Sequence, residues 1–530
     1  MTDRTLQADF IVAGATLIDG SGGPAVQGDL AVLGERIVAV GSFDHPAGVP
    51  VIDGRGQVLA PGFIDSHTHD DGYLLAHPDM LPKVSQGITT VVTGNCGISL
   101  APLERADIPQ PLDLLGPAEL FRFSTFRAWM DALRETPAAV NVIPLVGHTT
   151  LRVAVMDDTS RAANASERAA MRALLQEAMD AGAFGVSTGT FYPPASAAPT
   201  DEIIDVCQPL KPSGDAGHGG IDGRGIGNGS HGTDSRGVDR RGIDRRSNDR
   251  RSIGRRAIFA THLRDEADHI VPAMEEALLI GRELDCRVVF SHHKLAGERN
   301  HGRTRETLDM ITRAAAHQPV CLDCHPYPAT STMLRLDRAR LASRTMITWS
   351  KGYPEATGRE FSDVMQELGL DDEAAVARLA PAGAIYFLMD PADVNRIFAH
   401  PLTMVGSDGL PFDPHPHPRQ WGTFPNVLRT MVREQQLLSL EAAIHKMTGL
   451  AADQYGIAQR GLLREGYHAD LVLFDPATVT DVATFSAPVQ ASQGIHAVWV
   501  NGKPVWDGER TSTQRPGQVL TPGDALPRSS

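Results

Sequence analysis

The sequence predicts an α/β fold: a (β/α)8 TIM barrel with a small β-domain built from the N- and C-terminal flanks. Three observations lead there. Eight short runs rich in β-branched residues recur between residues 62 and 408, mostly separated by helix-like segments, which is the pattern of a parallel sheet. Histidine, cysteine and aspartate gather at the C-terminal ends of those runs, where such a barrel carries its reactive groups. Both ends of the chain hold hairpin-like stretches that can pair with each other. The 530 residues are ample, since one barrel takes up ~250 or more as a single domain.

In chain order the runs are GFIDSHTH (62–69), GITTVVTGNCG (87–97), NVIPLVGH (141–148), AFGVSTGTFY (183–192), AIFATHL (257–263), RVVFSHH (287–293), PVCLDCHPY (319–327) and LTMVGSD (402–408). Segments such as SERAAMRALLQEAMDAG (166–182) and DHIVPAMEEALLIGREL (268–284) supply the intervening helices. ADFIVAGATLIDGSG and LAVLGERIVAVG, with ADLVLFDP and HAVWVNGKPVWDGE at the other end, read as hairpin strands. Residues 1–60 and 455–510 thus form the small β-domain around a barrel at 61–454. Residues 335–400, between the seventh and eighth strands, are long enough for a subdomain over the barrel mouth. The Pro-, Ser- and Thr-rich stretch 511–530 is expected to be a flexible tail. At 211–256 lies a low-complexity insertion with a loose R-G-[I/V]-D-R repeat, holding ten arginines and six aspartates between Ser213 and Arg256. Without hydrophobic periodicity it is expected to be disordered. Its place, between a helix and the fifth strand, puts it on the face opposite the reactive groups.

Composition narrows the function classes. A formal net charge of −15 argues against a general nucleic-acid or anionic-membrane binder. An RNA-binding arm at 211–256 is a rival reading, but that segment has no aromatic residue for base stacking and interleaves its arginines with aspartates. The start MTDRTLQADF has no apolar signal core, and no apolar run is long enough to span a bilayer, so a cytoplasmic protein is expected. Five cysteines, an odd number, read as reduced thiols. Cys321 and Cys324 form a lone CxxC on a strand, where positions three apart face opposite sides, so a zinc knuckle is not expected there.

The strand ends bring together His67 and His69, Cys96, His262, His292 and Asp408. A His-x-His pair alone can simply open a loop. On a strand, however, His67 and His69 point the same way. Imidazole, thiolate and carboxylate converging on one barrel mouth suit Zn²⁺ better than Mg²⁺ or Ca²⁺. His293, one step out of phase, is expected to point away from the axis. Zinc in such a site polarises a carbonyl and activates water, the requirement for hydrolysing an amide or ester. Asp408 beside it can take the proton of that water and hand it to the leaving nitrogen.

These residues resemble the amidohydrolase superfamily through P-G-F-I-D-S-H-T-H on the first strand and G-S-D on the eighth. More narrowly, the chain resembles the N-acyl-D-amino-acid deacylases, or D-aminoacylases, through T-G-N-C-G (93–97), F-Y-P-P (191–194), A-T-H-L-R-D-E (260–266), S-H-H-K (291–294) and H-P-R-Q-W-G-T-F-P (417–425). The resemblance covers nearly the whole chain except the Arg/Gly segment. It implies zinc-dependent hydrolysis of the linear amide of a small-molecule N-acyl-D-amino acid, with D-stereochemistry resting on the resemblance alone. It also implies that Cys96, His262 and His292 hold one tight zinc, with His67 and His69 bordering a weaker second position. In that family the second-strand cysteine replaces a carboxylated lysine on the fourth strand, and AFGVSTGTFY has no lysine. This counts against the rival reading as a cyclic amidase of the dihydropyrimidinase or dihydroorotase kind. Arg419 stands where the family grips the substrate α-carboxylate, and guanidinium meets carboxylate bidentately. Tyr192, Lys294 and Ser331 match positions near the substrate. One departure is visible: His325 occupies a position where the family usually has tyrosine.

Overall fold

The computed structural model describes residues 6–212 and 256–522. Eight parallel strands follow the eight runs: β1 (Phe63–Asp65), β2 (Ile88–Thr93), β3 (Asn141–Gly147), β4 (Gly185–Gly189), β5 (Ile258–His262), β6 (Arg287–Phe290), β7 (Val320–Cys324) and β8 (Thr403–Val405). Each pairs with its neighbour in sequence, from β1 through to β8. The ring closes where the Ser66 amide donates to the Val405 carbonyl at 3.2 Å and the Asp408 amide to the His67 carbonyl at 2.8 Å. Every residue of these strands is buried, as expected for a parallel sheet covered by helices outside and side chains inside. Ile64, Val92, Ile143, Ile258, Val289 and Met404 fill the interior.

Cys321 belongs to that interior cluster, whereas Cys324 faces the outer layer. The two thiols therefore point apart, and all five cysteines are free. His293 points outward too, its Nε2 2.9 Å from Thr307 Oγ1 on the helix Thr304–Ala315.

The flanks form one sheet, in the order Lys503–Trp506, Ile495–Val500, Leu471–Phe474, Val58–Pro61, Phe10–Leu17, Val26–Leu33, Arg36–Gly41, with Val51–Asp53 also on Phe10–Leu17. The antiparallel pair Val58–Pro61 and Leu471–Phe474 joins the two ends of the chain. Between β7 and β8, Ala329–Met333, Ala382–Phe387 and Arg344–Ser350 make a separate three-stranded sheet. This sheet starts at Ala329 rather than 335, because the chain reverses into an antiparallel pairing soon after β7.

A correction concerns the expected flexible tail from 511. Over its described part the Gln518 amide reaches Asn141 Oδ1 at 3.1 Å, the Leu520 amide reaches the Val142 carbonyl at 2.9 Å, and Leu520 packs into the barrel interior. One apolar anchor and backbone pairing with β3 outweigh a polar composition. Of the insertion at 211–256, residues 213–255 lie outside the described residues; its described ends lead from the turn Gln208–Leu210 and into β5. No helix among the described residues is long and apolar enough to cross a membrane.

Candidate metal centre

The six residues singled out from the strand ends meet in one place. Each offers a donor atom to one of two groups, His67, His69, Cys96 and Asp408, or Cys96, His262 and His292, within which donors lie no more than 4.8 Å apart. Cys96 belongs to both. Its Sγ is 3.1 Å from His292 Nε2 and 3.3 Å from His67 Nε2. Asp408 Oδ1 stands 3.2 Å from His69 Nε2 and 3.5 Å from His67 Nε2.

The backbone bends sharply to achieve this. Cys96, His292 and Asp408 have φ of 53°, 36° and 51°, a left-handed conformation that costs a residue with a side chain about 1–3 kcal/mol. Three such bends turn three donors inward from strand ends that would otherwise run straight on. Gly97 follows at φ 77°, and a Cβ there would lie 2.5 Å from the Gly189 amide nitrogen, so the turn after β2 requires glycine.

Charge is arranged to suit a metal. Burial opposes ionisation of the Cys96 thiol, but His292 and His67 beside it hold it well below its usual range, as a thiolate. Asp408 is likewise raised by burial and overruled by Arg419 and His292, which hold it well below the carboxylate range. Burial lowers His262, and neither of its buried ring nitrogens has a hydrogen-bond partner. The other three imidazoles are raised against their burial, His67 by Asp323, His69 by Asp408 and His292 by Cys96, so the anionic donors draw positive charge into the site, a set that fits a borderline-soft dication.

A supporting layer, absent from the sequence reading, orients these donors. Asp323 Oδ1 lies 3.2 Å from His67 Nδ1 and accepts the His292 amide at 2.7 Å, so one carboxylate at the end of β7 fixes two donors. Glu266 Oε1 is 3.2 Å from His292 Nδ1 and 2.6 Å from Lys294 Nζ, and its Oε2 is 3.3 Å from Arg338. Lys83, fully buried beside the C-terminal end of β1, meets Asp65 at 2.9 Å and Asp70 at 3.2 Å. Asp323 was open to recognition as one more strand-end carboxylate, and Glu266 as a carboxylate in the loop that follows His262. Lys83 carried no such signal.

Above the donors is a small cavity of about 20 Å³. Tyr192, Lys294 and Ser331 line it, as do Thr330, Thr332 and Arg338. The Tyr192 hydroxyl is 3.1 Å from Thr332 Oγ1, and Ser331 Oγ donates to the Ala384 carbonyl at 3.2 Å. Arg419 is placed differently. It is fully buried one layer behind that wall, donating to Thr330 Oγ1 at 3.2 Å and the Ser331 carbonyl at 3.1 Å while pairing with Asp408 Oδ2 at 2.8 Å. His325, the departure noted above, accepts from Arg419 through Nε2 at 3.1 Å; burial and then Arg419 push its pKa well down, so it is neutral.

Known proteins match this chain in sequence and fold. A match to the Amidohydrolase family runs over residues 50–506. The chain is 79% identical over 535 residues to an N-acyl-D-aspartate deacylase of Alcaligenes xylosoxydans xylosoxydans, covering 100% of this chain and 99% of that one. A D-aminoacylase crystal structure superposes with a TM-score of 0.87 at 50% identity, covering 97% of this chain and 100% of that one. The N-acyl-D-glutamate deacylase of Bordetella bronchiseptica, complexed with zinc and a phosphonate mimic of the tetrahedral intermediate, superposes at 0.85 with 41% identity over 97% of this chain and 100% of its own. Dihydropyrimidinase of Brevibacillus agri, at 14% identity and a TM-score of 0.55, shares the fold alone. The chain thus has relatives along its whole length, and it belongs to the amidohydrolase family and, within it, to the N-acyl-D-amino-acid deacylases.

Proposed function

We propose that this protein is a zinc-dependent hydrolase of the linear amide of N-acyl-D-amino acids, giving a carboxylate and a free D-amino acid, and that N-acyl-D-aspartate is its preferred substrate. The observation that carries the reading is Cys96, a thiolate shared by both donor groups at a barrel mouth whose wall bears Lys294 and Arg338. The relative at 79% identity supports the aspartate preference. Cys96, His262 and His292 would hold the tight zinc, with His67, His69 and Asp408 bordering a second position. Zinc there supplies Lewis acidity toward the scissile carbonyl and a nucleophile from water.

The chain's own residues do the rest. Asp408 presents Oδ1 toward the donors, beside His69, while Arg419 anchors Oδ2, so Oδ1 is the oxygen that would accept a proton and return it to the leaving nitrogen. Lys294 and Arg338 are the cations that meet the substrate's side-chain carboxylate, Arg338 being steadied by Glu266 and by the face of Phe191, 4.3 Å away. Tyr192 and Ser331 offer hydroxyls along the same wall. Arg419, bonded to wall residues from behind, serves the α-carboxylate in exchange for part of its contact with Asp408. The free cysteines suit a reducing, cytoplasmic setting.

The side-chain preference is tested with acetyl-D-Asp and acetyl-D-Asn, which have the same shape and differ in charge. An Arg338→Ala variant should lose about 2 kcal/mol or more of kcat/KM on acetyl-D-Asp and far less on acetyl-D-Asn. Equal losses on both would remove Arg338 from side-chain recognition.

A further inference from the structure

The cavity at the donors is too small for the substrate just assigned to it: about 20 Å³ holds a water or two, whereas ligand sites run to ~300 Å³ and more. One wall is shared with a larger space. Leu114, in the short 3-10 turn Leu112–Leu115, belongs to this cavity and also to a second one of about 610 Å³. The turn is firmly seated, since Gly116 abuts Phe412 so closely that a Cβ would lie 2.9 Å from its ring. On the inner side, Leu114 is accompanied by Ile98 and Leu410, the apolar part of a mostly polar wall. On the outer side the chamber continues with Ile108, Pro117, Trp349 and Phe412.

Charge fixes the direction in which a substrate can lie. The chamber is lined by four acidic side chains, Asp107, Asp113, Glu119 and Asp413, against the single cation Lys351; burial raises Asp113 and Asp413 toward their neutral forms, which leaves the lining acidic with Asp107 and Glu119. The inner cavity instead carries Lys294 and Arg338 with Glu266 and Asp408, so its cations match its carboxylates in number before any metal is counted. An N-acyl-D-aspartate has two carboxylates at its amino-acid end and none at its acyl end. With the scissile carbonyl at the donors, the anionic end belongs with Lys294 and Arg338, and only the neutral acyl tail suits the acidic, apolar-walled chamber.

We propose that this chamber is an acyl-chain site with Leu114 as its partition, and that the enzyme accepts linear aliphatic acyl groups well beyond acetyl. The inference rests on the deacylase reading above, and the two fail separately: absence of turnover on acetyl-D-Asp defeats that reading, while the effect of chain length tests the chamber. The zinc-loaded full chain is assayed on acetyl-, butanoyl-, hexanoyl- and octanoyl-D-Asp. Each buried methylene is worth up to about fourfold, so kcat/KM should rise at least ~10-fold from acetyl to octanoyl, mainly through KM.

Ala118, on the chamber wall, is replaced by tryptophan to fill it. Ala118→Trp should bring the octanoyl-to-acetyl ratio back toward one, and Leu114→Ala should raise it above wild type. A wild-type ratio at or below one would overturn the proposal and leave the chamber a solvent vestibule. So would a high ratio indifferent to Ala118→Trp, since the tail would then lie elsewhere. If Ala118→Trp fails to fold, product inhibition of the wild type decides: octanoate should inhibit at least ~10-fold more tightly than acetate, and equal inhibition would refute the chamber.

Discussion

Replacing Asp408 by asparagine separates proton transfer from metal binding. The change keeps the shape of the side chain and removes its charge. Asp408 is 5% exposed, with Oδ1 3.2 Å from His69 Nε2 and Oδ2 2.8 Å from Arg419 Nη1. A positioned acid–base group contributes about 10²–10⁴ in rate, so kcat should fall by at least ~10², equivalent to about 2.7 kcal/mol of barrier. Arg419 is then left buried without its anion. Removing one partner of a buried pair costs roughly 3–5 kcal/mol, and the low end applies because an amide oxygen, His325 and Thr330 still bond the guanidinium. The thermal midpoint should therefore drop. Zinc bound by Cys96, His262 and His292 should stay, because Asp408 is not among those donors. Steady-state release of D-aspartate, zinc content by atomic absorption and a thermal scan measure the three quantities. A variant with kcat within about fivefold of wild type would refute the proton-transfer role, and one that loses all its zinc would refute the division of the donors into two groups.

Two further perturbations follow from the same geometry. Cys96→Ala removes the donor common to both groups and should abolish tight zinc binding together with nearly all turnover; retention of zinc and rate would exclude the thiolate as a ligand. Arg419→Ala should lower kcat/KM by about 2–5 kcal/mol on an N-acyl-D-amino acid and by clearly less on an N-acyl amine lacking the α-carboxylate. Some loss should persist on the second substrate because Arg419 also anchors Asp408, and equal losses would make its role purely structural.

The barrel was legible because its strands are short apolar runs that end in residues able to do chemistry. GITTVVT is buried at every position, and the cysteine that follows it is the shared donor. All six residues of the two clusters stand where such runs stop. The backbone bends were not legible: nothing in the residue types at 96, 292 and 408 announces a positive φ, which arises from the turn closing around each donor. Arg419 was legible as a functional arginine by resemblance, but its burial behind Thr330 and Ser331 depends on the sheet Ala329–Met333, whose strand begins before the expected subdomain. Lys83 and Asp65 are paired across a loop with no periodic signature. The docking of residues 516–520 hinges on Leu520 and on backbone bonds to β3, which composition does not reveal.

The most direct test of the account is turnover as a function of zinc on the two enantiomers of acetyl-aspartate. Metal is removed from the full chain with a chelator, zinc is added back in steps, and kcat/KM is measured for acetyl-D-Asp and acetyl-L-Asp at each step. The account expects no turnover without metal, a rise that saturates near one zinc per chain, and preference for the D form by at least ~10²-fold at saturation, the order that a mispositioned substrate costs. Equal hydrolysis of both enantiomers, or no hydrolysis of acetyl-D-Asp by protein carrying its full zinc, would contradict it.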